Sequence, residues 1–382
     1  MKHLQEYVYW VFEDQSNTEL RKQIIDYVSV DKKDPKDIND ISDESLKRAY
    51  QILQKIDKED FDIIKNMYKG NSEGLKHLIH ILENTGQKSE FLKALLKKDG
   101  FPTFNDLQSY TNLYDLAKDK KFKISEIFND DSQLSDFLQQ LLTVTYKVSG
   151  KGVGAGELFL TTLFQNTGHP NQGDVKMENN EIEVKFSTSF SSNGGRILPA
   201  KGTLKTVDEM TTEFEKMVKD KGIEIPEDII RNNNDCIMIA GQQYIDNIIN
   251  KLQDKFDNKN EIYQLLAQMY FFQFNNLKKY KDKFNNFIKT IKDYSFDTLI
   301  KIHGLLALIS YHEADGWNYL LVGVSKTGDY CIINGEDCTI DNFDKLVNND
   351  KLPFVFKKYP SNTNGAHPMQ DKVCQIYVSK NR

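Results

Sequence analysis

The sequence predicts an α/β protein in which a mixed central sheet with flanking helices is preceded by an all-helical module and interrupted by a helical insertion. Three observations carry this expectation. Helical periodicity dominates from about Asp37 to Leu142. A glycine-rich break follows, with Gly150, Gly152, Gly154 and Gly156 on alternate positions. Short runs rich in β-branched and aromatic residues then lie on both sides of a second helical stretch. The expected organisation is a helical module over 1–148 and an α/β domain over 149–382, with an insertion at about 203–294.

The N-terminal module reads as separate short helices. ISDESLKRAYQILQKI, DFDIIKNMY, GLKHLIHILEN, SEFLKALLKK and DSQLSDFLQQLL each space apolar residues three or four apart, and Ser42 and Ser89 are suitable caps. After the glycine run, ELFLTTLFQNTG predicts a helix ending near Gly168. GDVKM and EIEVKFS predict two strands joined by the tight Glu178-Asn179-Asn180 turn, followed by a polar hinge, SFSSNGGR. Helical spacing returns at Thr206 to Lys219, Gln243 to Phe256, Glu261 to Phe274 and Asn276 to Ile291, broken by the short apolar run CIMIAG. A last helix, FDTLIKIHGLLALISYHEA, leads into the strands YLLVGV and DYCIIN. PFVFKKY and QIYVSK are further strand candidates, and the strands before residue 190 and after residue 317 are expected to share one sheet, with Tyr319 to Asn334 and Gln375 to Lys380 either completing it or forming a separate β-layer.

Composition narrows the function classes. With 382 residues, 28% charged and 39% hydrophobic, the chain has the makeup of a multi-domain globular protein rather than a disordered one. No segment approaches the ~18 uninterrupted apolar residues of a membrane span, and MKHLQEYVYWVFEDQ lacks the features of a secretory leader. A cytoplasmic location without membrane association is the expectation. Cys236, Cys331, Cys338 and Cys374 form no Cys-x-x-Cys pair, which argues against a zinc ribbon or a redox motif and for buried thiols. His77 and His80 lack a second pair of ligands at metal-site spacing. The glycine run is not followed by Gly-Lys-Ser/Thr, and Ala155 breaks Gly-x-Gly-x-x-Gly, so a phosphate loop is not expected.

The formal charge of −6 means that any surface for a polyanion must be local, because such affinity comes from cationic side chains displacing counterions. Lys278, Lys279, Lys281, Lys283, Lys289 and Lys292 surround an apolar stripe at helical spacing. They make either a solvated helix face or a basic surface.

The chemistry is concentrated between Glu157 and Lys185. In EIEVKFS the two-residue period puts Glu181, Glu183 and Lys185 on one face and Ile182, Val184 and Phe186 on the other, the first a chemical surface and the second a packing one. Asp174 opens the neighbouring strand and is expected opposite Glu183 and Lys185. Clustered carboxylates repel and favour their own protonation unless compensated, and a divalent cation is a natural compensation. Magnesium is usually held by one or two carboxylates, with water and phosphate completing its shell. Glu157 shares a helix face with Leu160, Thr161 and Phe164, and is either a partner of that metal or a first-turn acid favoured by the helix dipole. Gly194-Gly195-Arg196 either lets backbone and guanidinium approach a phosphate or forms a simple turn.

A Glu-bearing helix, then Gly173-Asp174, then Glu183-Val184-Lys185 resembles the signature of the PD-(D/E)xK, or restriction-endonuclease-like, nuclease superfamily. The context GKGVGAGELFL, GDV, IEVKFS and GGR is similar to nuclease-like proteins of tailed bacteriophages. The resemblance covers roughly residues 149 to 200 and again Ser295 to Asn334, and nothing of the N-terminal module; Gly173 stands where the motif has proline. It implies a restriction-endonuclease-like fold and magnesium-dependent hydrolysis of DNA phosphodiesters, endonucleolytic, with manganese able to substitute. It further implies that Asp174 and Glu183 ligate the metal, that Glu157 is an additional or water-mediated ligand, and that Lys185 holds or deprotonates the attacking water. Arg196, Lys151 and Lys201 are the expected nucleic-acid contacts. The helical module would serve self-association or a virion or host protein. A host-cell cytoplasmic or virion location would follow for a phage protein. The alternative is a catalytically silent protein of this fold, acting as a virion or binding component.

Overall fold

The computed structural model describes residues 103–108, 122–123, 146–148, 151–164, 167–168, 172–187, 195–197, 204–231, 235–239, 241–350, 352–358 and 374–379. The five helices expected between Asp37 and Leu142 lie outside them, as do His77, His80 and Lys201; Phe104–Gln108 (α1) is a short helix in the same stretch. Phe122–Lys123 (β1) is a strand within the stretch whose pattern is helical, because it finds the free edge of a sheet. The described chain is mixed α/β and divides into two compact units. The first comprises Met1–Asp106, Ile124–His169 and Val175–Asn179; the second comprises Leu107–Lys123, Pro170–Asp174 and Asn180–Arg382.

In the first unit Tyr146–Val148 (β2) and Lys151–Val153 (β3) pair antiparallel, with Gly152 opposite Lys147 and Gly154 as the N-cap of helix Ala155–Leu163 (α2). The helix expected to reach Gly168 stops five residues earlier. Phe164 is extended (φ −114°, ψ 150°) and its ring meets Phe159 edge-on at 5.3 Å. The chain then enters Thr167–Gly168 (β4), which pairs antiparallel with Val175–Met177 (β5). Strand pairing outweighs helix propensity there, and the Thr167 hydroxyl donates to the Thr161 carbonyl at 3.3 Å.

The second unit is built on Asn180–Ser187 (β6), Gly195–Ile197 (β7), helices Val207–Lys219 (α3), Gln242–Leu252 (α4), Lys259–Phe272 (α5), Lys281–Ile288 (α6) and Phe296–Asp315 (α7), strands Tyr319–Val324 (β8) and Asp329–Asn334 (β9), helix Phe343–Val347 (α8), and strands Phe354–Lys358 (β10) and Cys374–Val378 (β11). Its main sheet is mixed, in the order β1-β9-β8-β6. β6 and β8 run parallel, with Glu183 beside Leu320 and Lys185 beside Val322, and the remaining pairs are antiparallel. The tail strands join β7 in a separate antiparallel sheet, β10-β11-β7, which packs on β6, β8 and α7.

A parallel β6–β8 pair needs a long crossover, and the insertion supplies it. α3 buries Met210, Phe214 and Val218, one helical turn apart, against α5, and α5 packs on α7. One apolar core runs through these helices into β8 and β11. The helix expected from Asn276 to Ile291 is instead a 3-10 turn, Asn275–Tyr280, followed by α6. Leu277, Phe284 and Ile288 still face inward and all six lysines stay exposed, two of them in ion pairs, Lys279 with Glu313 and Lys283 with Asp341. Among its described residues CIMIAG contributes an isolated bridge, Arg231 to Ile237. The four cysteines are buried and form no disulfide.

Candidate functional site

The site is assembled from the turn at Gly173, strand β6 and the last turns of α7, all in the second unit. Gly173 has φ +74°, and a Cβ on it would lie 2.9 Å from the Ile182 carbonyl oxygen. Proline, locked near φ −65°, does not fit this backbone, which accounts for glycine at the position where the resembled motif carries proline. The turn lets the Asp174 N–H donate to the Ile182 carbonyl at 2.9 Å, while the Val184 N–H donates to Asp174 Oδ2 at 2.9 Å. Asp174 is thereby fixed across from Glu183 and Lys185, as strand periodicity anticipates.

Lys185 Nζ bonds to Glu183 Oε1 and lies 3.7 Å from Asp174 Oδ2. Exposure grades outward: the side chain of Glu183 is 5% exposed, Lys185 16% and Asp174 29%. Glu183 is therefore not on an open chemical face. Tyr311, four residues from the end of α7, covers it and donates its hydroxyl to the same Oε1, and Lys185 Nζ sits 5.5 Å from the Tyr311 ring centroid. Burial raises the Glu183 carboxyl above its ordinary value, the Lys185 charge opposes this and the Asp174 charge adds to it. Burial, helped by the Glu183 charge, holds the Tyr311 phenol well above its usual value, so it remains a donor.

Asp315 joins this group from one turn beyond Tyr311. Burial raises its carboxyl, with Lys185 lowering and Asp174 raising it. Asp315 thus feels Lys185 and Asp174, the same two charges that act on Glu183, and the sequence pattern singles out neither Tyr311 nor Asp315. The available signal was their i, i+4 spacing at the polar end of an otherwise apolar helix. Glu181 takes a different role, accepting from the Gln172 N–H at 2.9 Å.

The donor chemistry suits a hard divalent cation. Asp174 Oδ1 and Glu183 Oε2 have no hydrogen-bond partner among the described residues, and two carboxylates meet one ammonium. Among the described residues no group of three or more His, Cys, Asp or Glu side chains is gathered so as to hold a metal ion. The fit therefore rests on two carboxylates.

The other expected site residues are distributed differently. Glu157 belongs to the first unit and is the third residue of α2, where its Oε1 accepts the Gly154 N–H at 3.1 Å, the job of a first-turn acid. Lys151 lies in β3 and Arg196 in β7, and Lys201 lies outside the described residues. Arg196 pairs in register with Gln375, and its neighbour Gly195 passes directly over Lys185. Gly195 begins strand β7, and Gly194 lies outside the described residues. No helix among the described residues is long and apolar enough to cross a membrane. Comparison of the chain with family models, curated proteins and solved structures finds no match.

Proposed function

We propose that this protein is a magnesium-dependent nuclease of the restriction-endonuclease-like type, hydrolysing DNA phosphodiester bonds endonucleolytically, with manganese able to replace magnesium. The observation that carries the reading is the convergence of Asp174, Glu183 and Lys185 around one point, in the order and on the elements that the resembled signature implies. The mixed sheet with β6 parallel to β8, a long helix leading into β8 and flanking helices supports the same fold type.

In this reading Asp174 and Glu183 hold the metal through the oxygens that lack hydrogen bonds. The metal, when bound, supplies a lowered pKa for its water and charge stabilisation at the phosphoryl oxygens. Lys185 keeps fixed positive charge beside the place where anionic charge develops and orients the attacking water. Asp174, the most exposed of the three, is the outermost group and the one nearest an arriving phosphate. Two protein carboxylates suffice for magnesium, and Glu157→Ala is the variant that decides whether the first unit contributes. Arg196, Lys151 and Lys201 are the proposed phosphate contacts.

The test is cleavage of plasmid and linear DNA with and without magnesium or manganese. Asp174→Ala, Glu183→Gln and Lys185→Ala should each slow cleavage by at least about 100-fold while keeping the native circular dichroism spectrum. Full activity in all three variants refutes the site. The net charge of −6 favours a second reading, a silent binding protein of the same fold; magnesium uptake without cleavage of any nucleic acid would select it.

A further inference from the structure

We infer that Tyr311 is a positioning residue of this site, holding the Glu183 carboxylate and the Lys185 ammonium in the arrangement that a divalent cation meets. The inference deepens the nuclease reading and rests on it. Tyr311 is buried and touches both groups: its hydroxyl donates to Glu183 Oε1, and its ring lies under Lys185 Nζ at 5.5 Å. With phenol and ammonium both bonded to Oε1, the carboxylate has one rotational setting, and Oε2 stays without a hydrogen bond among the described residues. A metal ligand is oriented in this way when its second oxygen is spoken for by a fixed donor.

The same helix end also fixes the opposite side of the site. With the Gln172 amide oriented by its hydrogen-bonding partners, its nitrogen donates to the Asp315 carbonyl at 2.9 Å and the Gly316 carbonyl at 3.1 Å. Gln172 immediately precedes Gly173 and Asp174. Asn318, just past the helix, accepts the Glu181 N–H at 2.8 Å. The last turn of α7 and its cap thus brace the turn carrying Asp174 and the strand carrying Glu183, and Tyr311 is the part of that brace that reaches the charged groups. Rigid support of this kind holds a constellation within the fraction of an ångström that metal binding and chemistry require.

The experiment is magnesium titration calorimetry on the full chain, wild type against Tyr311→Phe and Tyr311→Leu, with unfolding midpoints recorded in chelator and cleavage kinetics alongside. Tyr311→Phe removes only the hydroxyl and should weaken magnesium binding by about tenfold. It should lower kcat and leave KM for DNA unchanged, since Tyr311 is buried. Tyr311→Leu, which also removes the ring under Lys185, should bind magnesium at least as weakly. A tyrosine with a purely packing role predicts a lower unfolding midpoint with unchanged metal affinity, and that result in either variant overturns the inference. The two levels separate cleanly. Wild-type protein that takes up no magnesium sinks the nuclease reading and this inference with it, whereas wild-type uptake matched by both variants sinks the inference alone.

Discussion

Gly195 is placed where a side chain cannot be. A Cβ there would overlap the Lys185 Cβ and approach the Lys185 Cα to 3.1 Å, so β7 passes over β6 only because the residue is glycine. Gly195→Ala must push the two strands apart or displace Lys185. Overpacking of this kind costs about 1–3 kcal/mol, and the expected result is a drop in denaturant-unfolding stability of that size with a larger proportional loss of cleavage. At this scale the sequence was informative only along the chain. Alternation within EIEVKFS placed Glu183 and Lys185 on one side, and the GDV turn placed Asp174 opposite them. The role of Gly195 and the cover over Glu183 could not be read, because both are made by segments brought in from elsewhere; Tyr311 is 128 residues from Glu183.

Elements whose identity rests on local signals came through with little change. Tyr319–Val324 and Asp329–Asn334 coincide with their β-branched runs, and Phe296–Asp315 extends its apolar pattern by one residue. Elements decided by a partner did not: the helix after Gly156 ends early because β4 pairs with β5, and the tail strands choose β7 over the main sheet. Helix α3 illustrates the first kind. The Glu209 N–H donates to Thr206 Oγ1 at 3.1 Å, and the Thr206 N–H donates to Glu209 Oε2 at 2.8 Å, a reciprocal cap. Thr206→Ala should cost about 1 kcal/mol, measured by urea unfolding. The Lys205 hydrogen bond and the Thr206 backbone hold the Glu209 carboxyl down at about 2, against an ordinary value of 4.5. The folded value is the lower one, so this contribution is fully present above the ordinary range and is lost as pH falls towards about 2. Thermal midpoints followed down through that window should fall less steeply in Glu209→Gln than in wild type.

Across the whole chain, charge decides how a polyanion could be met. The total is −6, yet Lys278, Lys281, Lys289 and Lys292 are exposed along α6 and its flanks, with no ion pair of theirs found among the described residues. If the nuclease reading holds and this face tracks a phosphate backbone, replacing the four with Gln should flatten the dependence of log affinity on log salt. The slope should change by up to about 0.9 for each lysine that contacts a phosphate, read by fluorescence anisotropy of a labelled duplex. An unchanged slope would assign the face to solvent. The pairing of β6 with β8 has a further consequence, in time rather than space. Ser187 waits for Val324, on the far side of the entire insertion, before the parallel register can close, and contacts of such long range form late. A nascent chain emerging from the ribosome would carry Asp174, Glu183 and Lys185 long before Tyr311 exists to cover Glu183. Synthesis and assembly of the site are therefore separate events, and under the nuclease reading a polypeptide truncated before α7 should be inert.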